Sequence, residues 1–109
     1  MSTHSNLCER VRVLLQHPTP CTEKKMFGGL AFLLHGNMCC GVHKEELIVR
    51  FNPDNTTRYL AQPHTRIFDL SGRPMRGWIL VAPAGVKNEA ALSKWIQIAV
   101  DYATSLPPK

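Results

Sequence analysis

A chain of 109 residues with 44% hydrophobic and 19% charged side chains is long enough for one compact domain and too short for two ordinary ones. That balance excludes disorder and low complexity, and no apolar run approaches the roughly 20 residues of a membrane-spanning helix. The formal charge of +5 permits contact with nucleic acid, but the 13 basic residues are scattered from Arg10 to Lys109, with Lys24-Lys25 the single basic doublet.

The first predicted element is a helix, because Leu7, Val11, Leu14 and Leu15 recur at helical spacing. Ser5 or Asn6 is its expected cap, and Pro18 and Pro20 stop its continuation. The start MSTHSNLCERVR lacks the basic-then-apolar pattern of a secretory leader, so the expected compartment is the cytoplasm. From Glu23 to Phe51 polar and apolar residues alternate in twos. Breaks at Gly28-Gly29, His35-Gly36-Asn37 and Lys44-Glu45 divide this stretch into four short strands, an antiparallel meander.

Register within the meander decides what the adjacent Cys39 and Cys40 do. A two-residue Lys44-Glu45 turn sets Cys40 and Val42 on one face with Leu47, Val49 and Phe51. A three-residue loop, His35 to Asn37, adds Leu30, Phe32, Leu34 and Met38 to that face and collects the apolar side chains for a helical layer to cover. A two-residue turn would divide them between both faces. On the three-residue register Cys40 is a core residue, and Cys39 is an exposed thiol on the opposite face with Gly41, His43, Ile48 and Arg50. Side chains diverging in this way cannot share a metal ion without a bulge, and no CxxC pair occurs, so neither zinc nor a disulfide is expected. Cys39 near Arg50 leaves a thiol-based sensor as a weaker reading. Gly28-Gly29 fits no phosphate-binding loop and reads as a turn or bulge.

Pro53 to Ala61 reads as a short helix, followed by a strand near Arg66 to Asp69, a turn at Ser71-Gly72 and an apolar strand Trp78 to Val81. Pro83 and Gly85 break the chain. Leu92, Trp95, Ile96, Ala99, Tyr102, Ala103 and Leu106 then form one helical stripe, with Asn88 as cap and Pro107-Pro108 as stop. Sheet and helices segregate, which makes the class α+β with two layers and helices packed on one face of the sheet.

No catalytic motif occurs at a mechanistic spacing, so the expectation is a protein that is not an enzyme and needs no cofactor. Arg73, Arg76 and Trp78 flank a glycine ahead of the apolar strand. Arg and Trp are the residues favoured at interface hot spots, which makes these three the candidate interaction patch.

The ordered series "KKMFGGLAFLLHGNMCCGV", "LIVRFNP", "GRPMRGWILVAPAG", a closing helix with a Trp, and "LPPK" resembles the N-terminal domain of the TfoX (Sxy) family. The resemblance implies a single domain over residues 1–109 with a two-layer fold similar to secretion chaperones. It also implies a regulatory role, since two-domain members regulate natural competence genes, while many stand-alone members have no established activity. It supplies no catalytic residues. The expected partner is a protein, with nucleic acid a weaker alternative, no membrane association, and a homodimer compatible with the sequence.

Overall fold

The computed structural model describes residues 3–15, 21–26, 29–69 and 72–107, and their side chains except those of residues 3–6 and 26. Three helices, α1 (Thr3–Leu15), α2 (Thr56–Leu60) and α3 (Glu89–Ser105), accompany six strands. These are β1 (Thr22–Met26), β2 (Gly29–Leu34), β3 (Asn37–His43), β4 (Glu46–Arg50), β5 (Thr65–Phe68) and β6 (Met75–Val81). All pairings are antiparallel, in the order β1-β2-β3-β4-β6-β5. The expected meander runs from β1 to β4. The chain then crosses by a 3-10 turn, Pro53–Asn55, and α2 to the far edge and returns, so that β6 enters between β4 and β5.

The helices cover one face. Leu7, Cys8, Val11 and Leu15 of α1 and Leu92, Trp95, Ile96, Ala99 and Ala103 of α3 are buried against Phe32, Leu34, Val42, Leu47, Val49, Ile79 and Val81. Tyr59 and Leu60 of α2 pack against the same core. The fold is therefore the expected α+β, with helices on one side. The opposite face carries a smaller cluster of Ala31, Met38, Ile48, Phe68 and Leu80, flanked by Leu33, Met75 and Trp78.

Local chemistry explains most boundaries. The Asn88 side chain accepts a hydrogen bond from the Ala91 amide, as its expected capping role requires. Arg10 of α1 donates to the Val86 carbonyl at 2.8 Å and to Glu89 at 3.0 Å, joining α1 to the start of α3. Arg12 pairs with Glu9 and, at 2.6 and 2.9 Å, with Glu23 on the edge strand β1, where it holds the Glu23 carboxyl below its ordinary range. Helix α1 spans Thr3–Leu15, so Ser5 and Asn6, expected at its start, lie within its first turn. The expected stops at Pro18 and Pro20, and the parts of the breaks at Gly28, Ser71 and Pro108, lie outside the described residues. At Gly29 a Cβ would stand 1.9 Å from the Val42 carbonyl oxygen, so only glycine lets β2 begin this close to β3.

Strand β6 is longer than the predicted Trp78–Val81, and Gly77 is the reason. Ile67 pairs with Ile79, but the next β5 residue, Phe68, pairs with Met75, so Arg76, Gly77 and Trp78 bulge away from β5. They stay joined to β4: Arg50 pairs with Trp78, and the Phe51 amide donates to the Gly77 carbonyl at 2.9 Å. Gly77 has φ +87°, and a Cβ on it would meet the Phe51 oxygen and the Pro53 ring at 3.0 Å. Its buried amide donates to the Thr56 hydroxyl at 2.9 Å, which in turn donates to the Pro53 carbonyl at 2.6 Å.

This joint is testable. Gly77→Ala should cost at least about 1–3 kcal/mol, since alanine must adopt a left-handed backbone and displace its neighbours. Thr56→Val should cost about 1–3 kcal/mol by leaving the Gly77 amide buried and unpaired. Urea unfolding measures both. Trp95 is 3% exposed and meets the Tyr59 ring edge-on at 5.8 Å, so Trp95→Ala should cost about 3–5 kcal/mol in the same assay.

Candidate functional site

The adjacent cysteines occupy the most irregular part of the meander. Leu34 pairs with Asn37, so the loop is the two-residue His35-Gly36, with φ of +53° and +82°, the turn that suits the natural twist of a hairpin. Leu33 then pairs with Met38 and Phe32 with Cys40, which leaves Cys39 as the extra residue of a bulge. Three expectations are corrected by this arrangement, the first being the three-residue loop, His35 to Asn37, which is the two-residue His35-Gly36. Met38 lies in the small cluster on the uncovered face instead of under the helices. Cys39 is not an exposed thiol: both Cys39 and Cys40 are 0% exposed and belong to the helix-covered core. A two-residue loop alone would have turned the apolar strand the wrong way round, and the bulge restores Cys40 and Val42 to the covered face.

The four cysteines are unpaired. The hydrogen bond with Cys39, reinforced by burial, pushes the Cys40 thiol well above its ordinary range, and burial raises Cys8 and Cys21. Thiols held protonated are poor nucleophiles. Among the described residues no three His, Cys, Asp or Glu side chains converge in a metal-holding group. His43 closes the far end of β3 with Nδ1 buried and unpaired. In native buffer an alkylating reagent should label half-buried Cys21 before Cys39 and Cys40, which should react only as fast as the fold opens. Mass spectrometry of a labelling time course reads the order directly.

A more accessible set of functional groups gathers where β4 ends. The Arg50 guanidinium lies 5.2 Å from the Trp78 ring centre and 5.5 Å from that of Tyr102 on α3, and it donates to the Met38 carbonyl at 3.3 Å. Trp78 also meets the Phe68 ring, tilted, at 5.6 Å. Arg50 is half-buried and, among the described residues, has no carboxylate within ion-pair distance. By contrast Arg10, Arg12 and Arg66 each face one. Arg76 is exposed and donates to the Pro53 carbonyl at 3.4 Å; Arg73 is exposed on the approach to β6. Of the sequence-predicted patch, then, Trp78 is built into the aromatic stack, and Arg76 is tied to the turn after β4. Sequence reasoning missed Arg50 and Tyr102 as members of this surface. Arg50 had one sequence signal, the parity that sets it on the face opposite the core, and Tyr102 stood in the helical stripe read as core-facing.

Tyr102 also lines a cleft of about 280 Å³ between the segment after β4 and the second half of α3. Phe51, Tyr59, Asn52, Asn55 and Asp101 contribute to its walls. Asp101 accepts from Gln97 at 2.8 Å, and the Phe51 and Tyr59 rings meet edge-on at 4.7 Å.

Among the described residues no helix is long and apolar enough to cross a membrane. No curated protein and no solved structure matches the chain. The model of the TfoX N-terminal domain matches residues 13–103, which takes in the meander, the Gly77 joint, the Arg50 stack and nearly all of α3. The chain belongs to the TfoX N-terminal domain family.

Proposed function

We propose that this domain is a non-enzymatic regulatory module, of the kind found in competence regulators, that acts in the cytoplasm by binding another protein. The surface it uses is the patch of Arg73, Arg76 and Trp78, extended by Arg50 and Tyr102. The observation that carries this reading is the half-buried Arg50, stacked between two aromatic rings with no carboxylate beside it among the described residues. Arg, Trp and Tyr in a partly desolvated cluster are the side chains that dominate protein interfaces. The sequence carries no catalytic spacing, and four unpaired thiols fit a reducing compartment.

Direct binding of nucleic acid is the weaker reading. The net charge of +5 favours it, but Arg10, Arg12 and Arg66 are engaged with carboxylates, and Lys24 and Lys25 stand on an edge strand well apart in sequence from Arg76. Three phosphate contacts would give a log-log salt slope of about −2.7, or roughly a fortyfold loss of affinity between 50 and 200 mM salt. A DNA titration at those two concentrations, beside an affinity pull-down with Arg76→Ala, tests the choice. The expected results are DNA binding too weak to survive physiological salt and a protein partner whose recovery falls in the variant. Sequence-selective nanomolar DNA binding at 150 mM salt would reverse the assignment.

A further inference from the structure

We infer that Arg50 is the anchor for an acidic side chain, so that the partner presents an Asp or Glu in an exposed segment to the surface between Trp78 and Tyr102. This rests on the protein-binding reading above and names the chemistry of the partner.

Arg50 has five N–H groups, of which the structure engages one, at 3.3 Å, with the Met38 carbonyl. Two aromatic rings at 5.2 and 5.5 Å hold the guanidinium and displace water without satisfying its remaining donors. A guanidinium so oriented has lost little further freedom when a planar carboxylate meets it through two parallel hydrogen bonds, the geometry that an ammonium cannot copy. Of the charged side chains near this surface, Arg76, on β6 two residues from Trp78, favours an acidic group, while the Asp101 carboxylate, hydrogen-bonded to Gln97 in the neighbouring cleft, steers that group to the Arg50 end and away from the cleft. A phosphate backbone is a poorer occupant, because it needs a row of cations, and the cleft that continues this surface is lined by Asp101 and uncharged side chains.

The probe is a capped Gly-Glu-Glu-Gly-Gly peptide, with its Gln counterpart and a 12-base-pair DNA duplex as comparisons, titrated into ¹⁵N-labelled protein at 150 mM salt. The spectrum reports the fold and the binding site together. Expected are shifts of the Trp78 indole N–H and the Arg50 Nε–H with the Glu peptide, at least fivefold weaker binding of the Gln peptide, and no localised shift with DNA. Arg50→Lys keeps the charge and should weaken the Glu peptide about tenfold, whereas Lys87→Ala, on the exposed turn before α3, should leave it within twofold. Shifts centred on Lys24 and Lys25, equal binding by Arg50→Lys, or DNA shifting Trp78 where the Glu peptide does not would each overturn the inference. A partner recovered through the Arg76 surface with Arg50→Lys binding normally would retire the acidic anchor and leave the protein-binding reading in place.

Discussion

A single buried hydroxyl group ties the turn after β4 to the bulge in β6, at the end of the backbone ladder that joins the two strands. The Thr56 side chain accepts the Gly77 amide and donates to the Pro53 carbonyl, so the turn leaving β4 and the bulge entering β6 are fastened at one buried point. Strand β6 arrives only after a crossover to the sheet edge and must insert between β4 and β5, a pairing far less local than any in the meander. Gly77 permits the bulge through its positive φ, and the Phe51 amide closes it from the β4 side. Because Arg50 pairs with Trp78 one residue beyond this joint, the position of the aromatic stack follows from it.

The core and the surface site are thereby linked. The helix-covered face is filled by large apolar side chains from α1, α3 and every strand from β2 to β6 except β5, and its burial supplies the main stabilisation. The opposite face has a smaller cluster, flanked by Leu33, Met75 and Trp78. A residue such as Trp78 then serves two ends. The indole packs against Phe68, and the Arg50 guanidinium lies over the ring.

Local signals in the chain were enough for much of this. Helical periodicity found α1 and α3, Asn88 marked the start of the last helix, and the Lys44-Glu45 turn gave the pairing of Cys40 with Val49 and Val42 with Leu47. What local signals could not supply was irregularity. His35-Gly36 forms the hairpin because both residues tolerate positive φ, and the register error this would create is absorbed by a bulge at Cys39. Parity assumes a regular pleat, so a bulge defeats it, and here it reversed the places of Cys39 and Met38. The stack of Arg50, Trp78 and Tyr102 unites residues from β4, β6 and α3, and no spacing in one segment announces such a meeting. Arg73, Arg76 and Trp78 were legible as a patch because they are neighbours in the chain; Arg50, 26 positions before Arg76, was not.

The proposed role of this surface depends on Arg50 lying against both the Trp78 and Tyr102 rings in the free protein. Side-chain NMR tests this most directly. The expected result is that the Arg50 δ-methylene and Nε protons are shifted upfield by ring currents and show nuclear Overhauser contacts to both Trp78 and Tyr102 in the absence of any ligand. Random-coil shifts with contacts to neither ring would contradict it.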